Sequence, residues 1–167
     1  MKKLLMTLAL ICALVVGAMA QPRAIGARVG YNLEFSYQHS MPTHNMLDVT
    51  VGITHAWSRW GYIEANCMYD WIFNIRGNWH WYLGPGAGLG YGYGIYWHDY
   101  HYIPLRLNIG GQVGVEYQFK IPLTLSVDWR PMFNLLGIID VNRDHLYVES
   151  PMYSTFFNLA LGVRYRF

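Results

Sequence analysis

The side chains best equipped for chemistry in this 167-residue chain are a few histidine and hydroxyl groups and a long series of spaced charges. A lipid-deacylating hydrolase needs a serine, a histidine to take its proton and a carboxylate to orient that histidine. Two pairs lie close in sequence, His39-Ser40 and His55 with Ser58. Neighbouring side chains on a strand point to opposite faces, so His39 and Ser40 diverge. Neither pair has the His-x-Ser spacing that would put both groups on one face. His98-Asp99-Tyr100-His101, between Trp97 and Tyr102, offers a nitrogen-oxygen-nitrogen ligand set, but no regular element fixes its geometry. An aromatic loop resting on polar headgroups accounts for the same residues. Gly84, Gly86, Gly88 and Gly90 alternate within a strand pattern, with no helix after them and no Gly-Lys-Ser/Thr, so they do not cradle phosphate. The expectation is therefore no catalytic residue, no metal ligand and no cofactor.

The series of charges says more. Every second residue from Ile103 to Phe119 is apolar or glycine, and Arg106, Asn108, Gln112, Glu116 and Gln118 fall between them. The split recurs from Phe157 to Phe167, where Leu159, Leu161, Val163 and Tyr165 alternate with Asn158, Ala160, Gly162, Arg164 and Arg166. A period of two marks a strand with unlike faces. A run of about seventeen residues is long for a soluble domain and suits a tilted strand crossing a bilayer. Carried along the chain, this register puts Arg28, Glu34, Asp48, Glu64, Asp70, Arg106, Glu116, Asp128, Arg130, Arg164 and Arg166 on the polar face. The interior of a small barrel is about filled by its own side chains, and an unpaired charge there is costly. These groups are expected to form a buried, hydrogen-bonded ion-pair network, making a plug and not a pore.

Composition points the same way. Residues are 53% hydrophobic and 17% aromatic, with only 13% charged, against roughly 25% charged in ordinary soluble domains. Lys2-Lys3, an apolar run from Leu4 to Val16 and Ala18-Met19-Ala20 have the form of a signal peptide over residues 1–20. Cys12 follows Ile11 inside that run, which is unlike a lipoprotein site. Beyond it, residues 21–167 form one domain with ten basic and ten acidic residues, so the charge balance gives no reason to expect nucleic acid. Cys67 alone remains, which precludes an internal disulfide. No apolar stretch in this part is long enough for a membrane helix.

Strands must position these faces. Bacterial single-chain barrels have an even strand number, whereas a plain count of alternating runs gives seven. Splitting the first run at a hairpin near Asn32 gives eight, predicted over residues 24–31, 33–41, 46–57, 62–73, 79–93, 103–119, 123–134 and 154–167. The expected fold is all-β, an antiparallel up-and-down transmembrane β-barrel of eight strands. Short turns at 42–45, 74–78 and 120–122 then share one end, the periplasmic one. Segments 58–61, 94–102 and 135–153 share the other, so the two longest connections face outward as such barrels require. Tyr31, Phe35, Tyr37, Trp57, Trp71, Trp79, Trp81, Tyr91, Tyr93, Trp129, Tyr165 and Phe167 fall on the apolar register near strand ends and are expected to form interfacial girdles.

On these residues the chain resembles the small outer-membrane β-barrel proteins of Bacteroides-type bacteria, the compact eight-stranded kind within a porin-like superfamily. The resemblance is carried by Ala24-Ile25-Gly26-Ala27-Arg28 with Gly30-Tyr31, by Asn78-Trp79-His80-Trp81-Tyr82 with Gly84–Gly88, and by Gly114-Val115-Glu116-Tyr117. Leu125–Pro131 and Leu161–Phe167 carry it further, so it spans most of residues 21–167. It implies a place in the bacterial cell outer membrane, reached through the periplasm, but little about activity. Tyr165 and Phe167 resemble the terminal signal read by the barrel-assembly machinery, which implies that machinery as a transient partner.

The leading expectation is a structural or surface-interaction barrel. It would be anchored in outer-membrane lipid and would meet lipopolysaccharide or a surface partner through segments 94–102 and 135–153. A narrow channel for small solutes is second and a lipid A-modifying enzyme third. A soluble, lipocalin-like barrel would instead keep its apolar residues inside and its arginines outside.

Overall fold

A computed structural model describes residues 23–42, 44–54, 61–93, 102–103, 105–136, 139–140 and 156–167. Its strands are β1 (Arg23–Gly30), β2 (Asn32–Met41), β3 (Asn45–Thr54), β4 (Gly61–Arg76), β5 (Trp79–Tyr93), β6 (Tyr102–Ile103), β7 (Leu105–Gln118), β8 (Leu123–Trp129), β9 (Met132–Leu136), β10 (Ile139–Asp140) and β11 (Leu159–Arg166). The order β5-β4-β3-β2-β1-β11-β8-β7, with β7 returning onto β5, closes an antiparallel barrel of eight strands. β8 and β9 make one barrel strand, interrupted at Arg130-Pro131, where proline has no N–H to give to a ladder. β6 pairs with β10, next in sequence to the paired β7 and β9.

The eight-strand count and the first hairpin stand, with several boundaries corrected. Tyr31 occupies the bend between β1 and β2, one residue before the expected turn and not on the outward register. Asn45 belongs to β3, opposite Met41, and Gly61 to β4, so both leave their expected turns. β4 runs on through Asn74, Ile75 and Arg76, which shrinks the 74–78 turn to Gly77-Asn78. A register shift between Asn74 and Arg76 lets the ladder continue, and Gly77 supplies the positive φ (59°) that closes the hairpin. Tyr102 and residues 135, 136, 139 and 140 are in strands, which trims both long outer segments. The last strand begins at Leu159, because Phe156 and Phe157 form a turn. Residues 1–22, Trp57 and most of segments 94–102 and 135–153 lie outside the described residues.

The pairing also sets the slant of the strands. Cα partners run from Trp79 to Tyr117, Leu125, Val163, Ala27, Phe35, Val51, Ala65 and finally Leu89. One circuit thus returns to β5 ten residues further along. With ordinary strand rise and spacing, this stagger around eight strands corresponds to a tilt of about 40°.

The two faces are inverted relative to a soluble protein. Ile25, Val29, Leu33, Phe35, Val51, Ile63, Leu89, Val127 and Leu161 are among the large apolar side chains exposed around the outside. Among the described residues the buried apolar ones are only Ala24, Met46, Met68, Tyr82, Met132 and Ala160, against twenty-one buried polar or charged residues. The outer face therefore gains nothing from the hydrophobic effect while it stays in water. Aromatic residues gather on it near the short turns, where Phe73 stacks on Trp81 (4.6 Å) and Trp79 meets Tyr117 (4.9 Å).

Closure through β1 and β11 places Ala27 opposite Val163. In a Cys67→Ala background, Ala27→Cys with Val163→Cys is expected to oxidise to an intramolecular disulfide, read as joined N- and C-terminal peptides after proteolysis. Val51→Cys with Val163→Cys, not paired across the seam, is expected to give none.

Candidate functional site

The middle of the barrel holds three guanidinium groups and three carboxylates. β1 presents Arg28, β2 Glu34, β3 Asp48, β8 Asp128 and β11 Arg164, each on the inward register, while Arg130 enters where the proline break ends β8. Arg28 is the first bridge. Its Nη1 donates to Glu34, and its Nε (2.7 Å) and Nη2 donate to Asp128. Arg130 is the second, pairing with Glu34 at 3.4 Å and Asp48 at 3.6 Å while donating to Gln112 (2.7 Å) and Thr50 (2.9 Å). Arg164 completes the chain, with Nη2 3.3 Å from Asp48, Nε donating to Ser36 (2.9 Å) and Nη1 to Ser126 (2.7 Å). Asp48 also accepts from the Ser36 hydroxyl (3.0 Å), and Asp128 from the Tyr82 hydroxyl (3.2 Å).

All three arginines have no exposed surface. Their charges balance those of Glu34, Asp48 and Asp128, and arginine's planar fork lets one group tie two acids. Such a network has little net worth against an apolar core, but removing one member leaves a bare buried charge. It is a rigid cross-brace, with the hydroxyls of Ser36, Thr50 and Ser126 and the amide of Gln112 accepting from further donors.

Small residues make this filling geometrically feasible. Gly162 sits against Ser126 and the Arg164 guanidinium, with no room for a Cβ. The glycines of β5 likewise lie beneath side chains of the strands beside them. Gly86, Gly88 and Gly90 pair with Met68, Asn66 and Glu64 of β4 on one side, and with Gly110, Asn108 and Arg106 of β7 on the other. The covering of this row comes from the adjacent strands.

The other sequence-selected charges take separate positions. Arg106 pairs with Glu64 at 3.2 Å, donates to Asn134 (2.6 Å) and Asn108 (2.9 Å) and sits over the Tyr62 ring (4.8 Å). Near the short turns, Arg166 donates to Gln118 (2.8 Å), whose amide donates to Glu116 (2.8 Å). These groups line a cavity of about 180 Å³ together with Gln38, Ser40 and Met46. Asp70 is fully buried, with neither carboxylate oxygen hydrogen-bonded among the described residues. Tyr165 and Phe167 face outward and are exposed.

Sequence reasoning named the charges but not the pairing of their uncharged partners: Ser36, Thr50, Tyr82 and Ser126 went unnamed as interior groups, and Gln112 was placed on the polar face without a partner. All five occupy the same alternate positions as the charges, and that is the signal that would have found them. Of the hydrolase candidates, His39 stacks with outward Tyr37 (6.4 Å), whereas Ser40 lines the interior cavity, so the two are on opposite faces. His55, Ser58 and His98–His101 lie outside the described residues. A scan against protein-family models and searches of curated proteins and of solved structures return no match to this chain.

The interior acids should separate under substitution. Asp128→Asn and Arg28→Leu each strand a charge and are expected to lower unfolding stability by about 3–5 kcal/mol. Asp70→Asn removes an unpaired charge and is expected to raise stability. Urea unfolding in detergent micelles, followed by tryptophan fluorescence, reads both, and a loss in Asp70→Asn equal to that in Asp128→Asn would refute the assignment.

Proposed function

We propose that this chain is an integral outer-membrane β-barrel with a structural or surface-interaction role, delivered through the periplasm after removal of residues 1–20. The observation that carries the reading is the pairing of an apolar outer face with a charged interior whose three buried arginines are tied to Glu34, Asp48 and Asp128. Lipid is the solvent that turns exposed Phe35, Val51, Leu89 and Leu161 from a liability into an anchor. A soluble lipocalin-like barrel has the opposite requirement, and the burial of Arg28, Arg130 and Arg164 argues against it.

In this reading the barrel is closed to solutes. Arg28, Arg130 and Arg164 reach partners on several different strands, so the network spans the lumen and does not line one wall. The short turns at Gly77-Asn78 and Lys120–Pro122 face the periplasm, and segments 94–102 and 135–153 face outward. Those segments meet lipopolysaccharide or a surface partner, and the outward Tyr165 and Phe167 hand the nascent chain to the barrel-assembly machinery. Membership of the compact eight-stranded kind within a porin-like superfamily belongs to the same proposal.

Electrophoresis of isolated outer membranes with and without boiling tests location and closure together. The unboiled band is expected to migrate faster, in the outer-membrane fraction, and the purified barrel to give no conductance steps in planar bilayers. An unshifted protein in the soluble periplasm would overturn the reading, and discrete steps would favour the narrow channel.

A further inference from the structure

The outer wall is not uniformly smooth. Between β5, β7, β8 and β11 lies a groove of about 480 Å³, walled by Trp79, Tyr117 and Phe119 and floored by shorter side chains that include Val127, Leu161 and Val163. Its aromatic wall is braced, since Tyr117 packs edge-on against Phe119 (4.8 Å) as well as against Trp79. Phe119 leads directly into the turn that carries exposed Lys120. That turn is held from inside, because Arg166 Nη2 donates to the carbonyls of Phe119 (2.7 Å) and Ile121 (3.1 Å), on either side of Lys120. The aromatic wall of the groove thus runs, through Phe119, into a fixed turn that carries an exposed cation.

We propose that this groove is a binding site for one glycerophospholipid, with an acyl chain in the slot and the phosphate at Lys120. The inference rests on the membrane reading above and narrows it to one leaflet, since the Lys120 turn is at the periplasmic end. The lining of the groove is almost entirely apolar, which suits an acyl chain. A slender chain suits this shape better than a second barrel, whose convex wall would bridge the slot without filling it. The positive charge of Lys120 matches a phosphate, and arginine donors already occupied by carbonyls keep that turn from collapsing onto the barrel. Lipopolysaccharide, confined to the other leaflet, would not reach it.

The test uses the chain recovered from outer membranes, delipidated in mild detergent and mixed with palmitoyl-oleoyl phosphatidylglycerol. Native mass spectrometry then counts retained lipid. One lipid per barrel is expected. Val127→Trp, which fills the groove floor, should reduce retention at least fivefold, and Lys120→Glu at least threefold. Val51→Trp, at an exposed apolar position of β3 outside the groove, should leave it unchanged. Each variant is first checked for the heat-dependent gel shift; should Val127→Trp fail to fold, Lys120→Glu on the exposed turn decides. Equal retention by wild type and Lys120→Glu, equal loss in Val51→Trp and Val127→Trp, or preferential retention of lipopolysaccharide would overturn the site. A heat-shifting barrel that keeps no lipid defeats this inference alone, whereas a soluble chain without the shift defeats the membrane reading beneath it.

Discussion

Arg28, Arg130 and Arg164 cannot be solvated where they stand, and everything else about the barrel answers to that. Each buried guanidinium needs carboxylates or hydroxyls at hydrogen-bonding distance, because an isolated charge in a low-dielectric interior is prohibitively unfavourable. Glu34, Asp48 and Asp128 supply the charge, while Ser36, Thr50, Gln112 and Ser126 accept from further donors. The positions of those partners then dictate register. A slip of one residue in β2 would turn Glu34 and Ser36 outward and Phe35 inward, breaking the network and putting an aromatic ring among arginines. The charged interior acts as the specificity device that an apolar core supplies in a soluble protein.

Much of this architecture was legible beforehand, and the reason is the period of two. A strand with one apolar and one charged face announces its orientation at every residue, which is why the alternation of Leu105–Gln118 and Leu159–Arg166 could be read without any structure. Strand ends were less legible. Asn74 and Arg76 look like turn residues by type, yet they continue β4, because a bulge absorbs the mismatch and only Gly77 must take the left-handed conformation. At Arg130-Pro131 a missing N–H breaks the ladder inside the one barrel strand that the alternation already showed over residues 123–134. Within the site, the charges stood out while their hydroxyl and amide partners did not. Ser, Thr and Gln are common on any solvated face, and only the closed cylinder makes them interior.

The glycine row of β5 shows how the interior volume is apportioned. Gly86, Gly88 and Gly90 contribute no side chain, and their neighbours Met68, Asn66 and Glu64 on one flank and Asn108 and Arg106 on the other spread into the space they leave. The wall is thin along β5 so that it can be thick along β4 and β7. A ten-residue stagger gives the strands their slant, and the alternation of small and large across neighbouring strands lets long polar side chains lie inside without strain.

The same ion pairs constrain how such a chain can come to be folded. Arg28 and Asp128 are separated by 100 residues, and Arg164 and Asp48 by 116. No hairpin formed early brings either pair together. Until β11 reaches β1, a half-zipped sheet leaves Arg28 with Glu34 alone, across the first hairpin, and keeps Arg164 away from Asp48, on a surface that must soon be enclosed. Long-range contacts of this kind fold slowly, and here they are also the contacts that make the interior tolerable. The last step of sheet closure is therefore also the step that neutralises the core, so acquisition of the final strand and loss of water from the lumen are tied into one late, cooperative event.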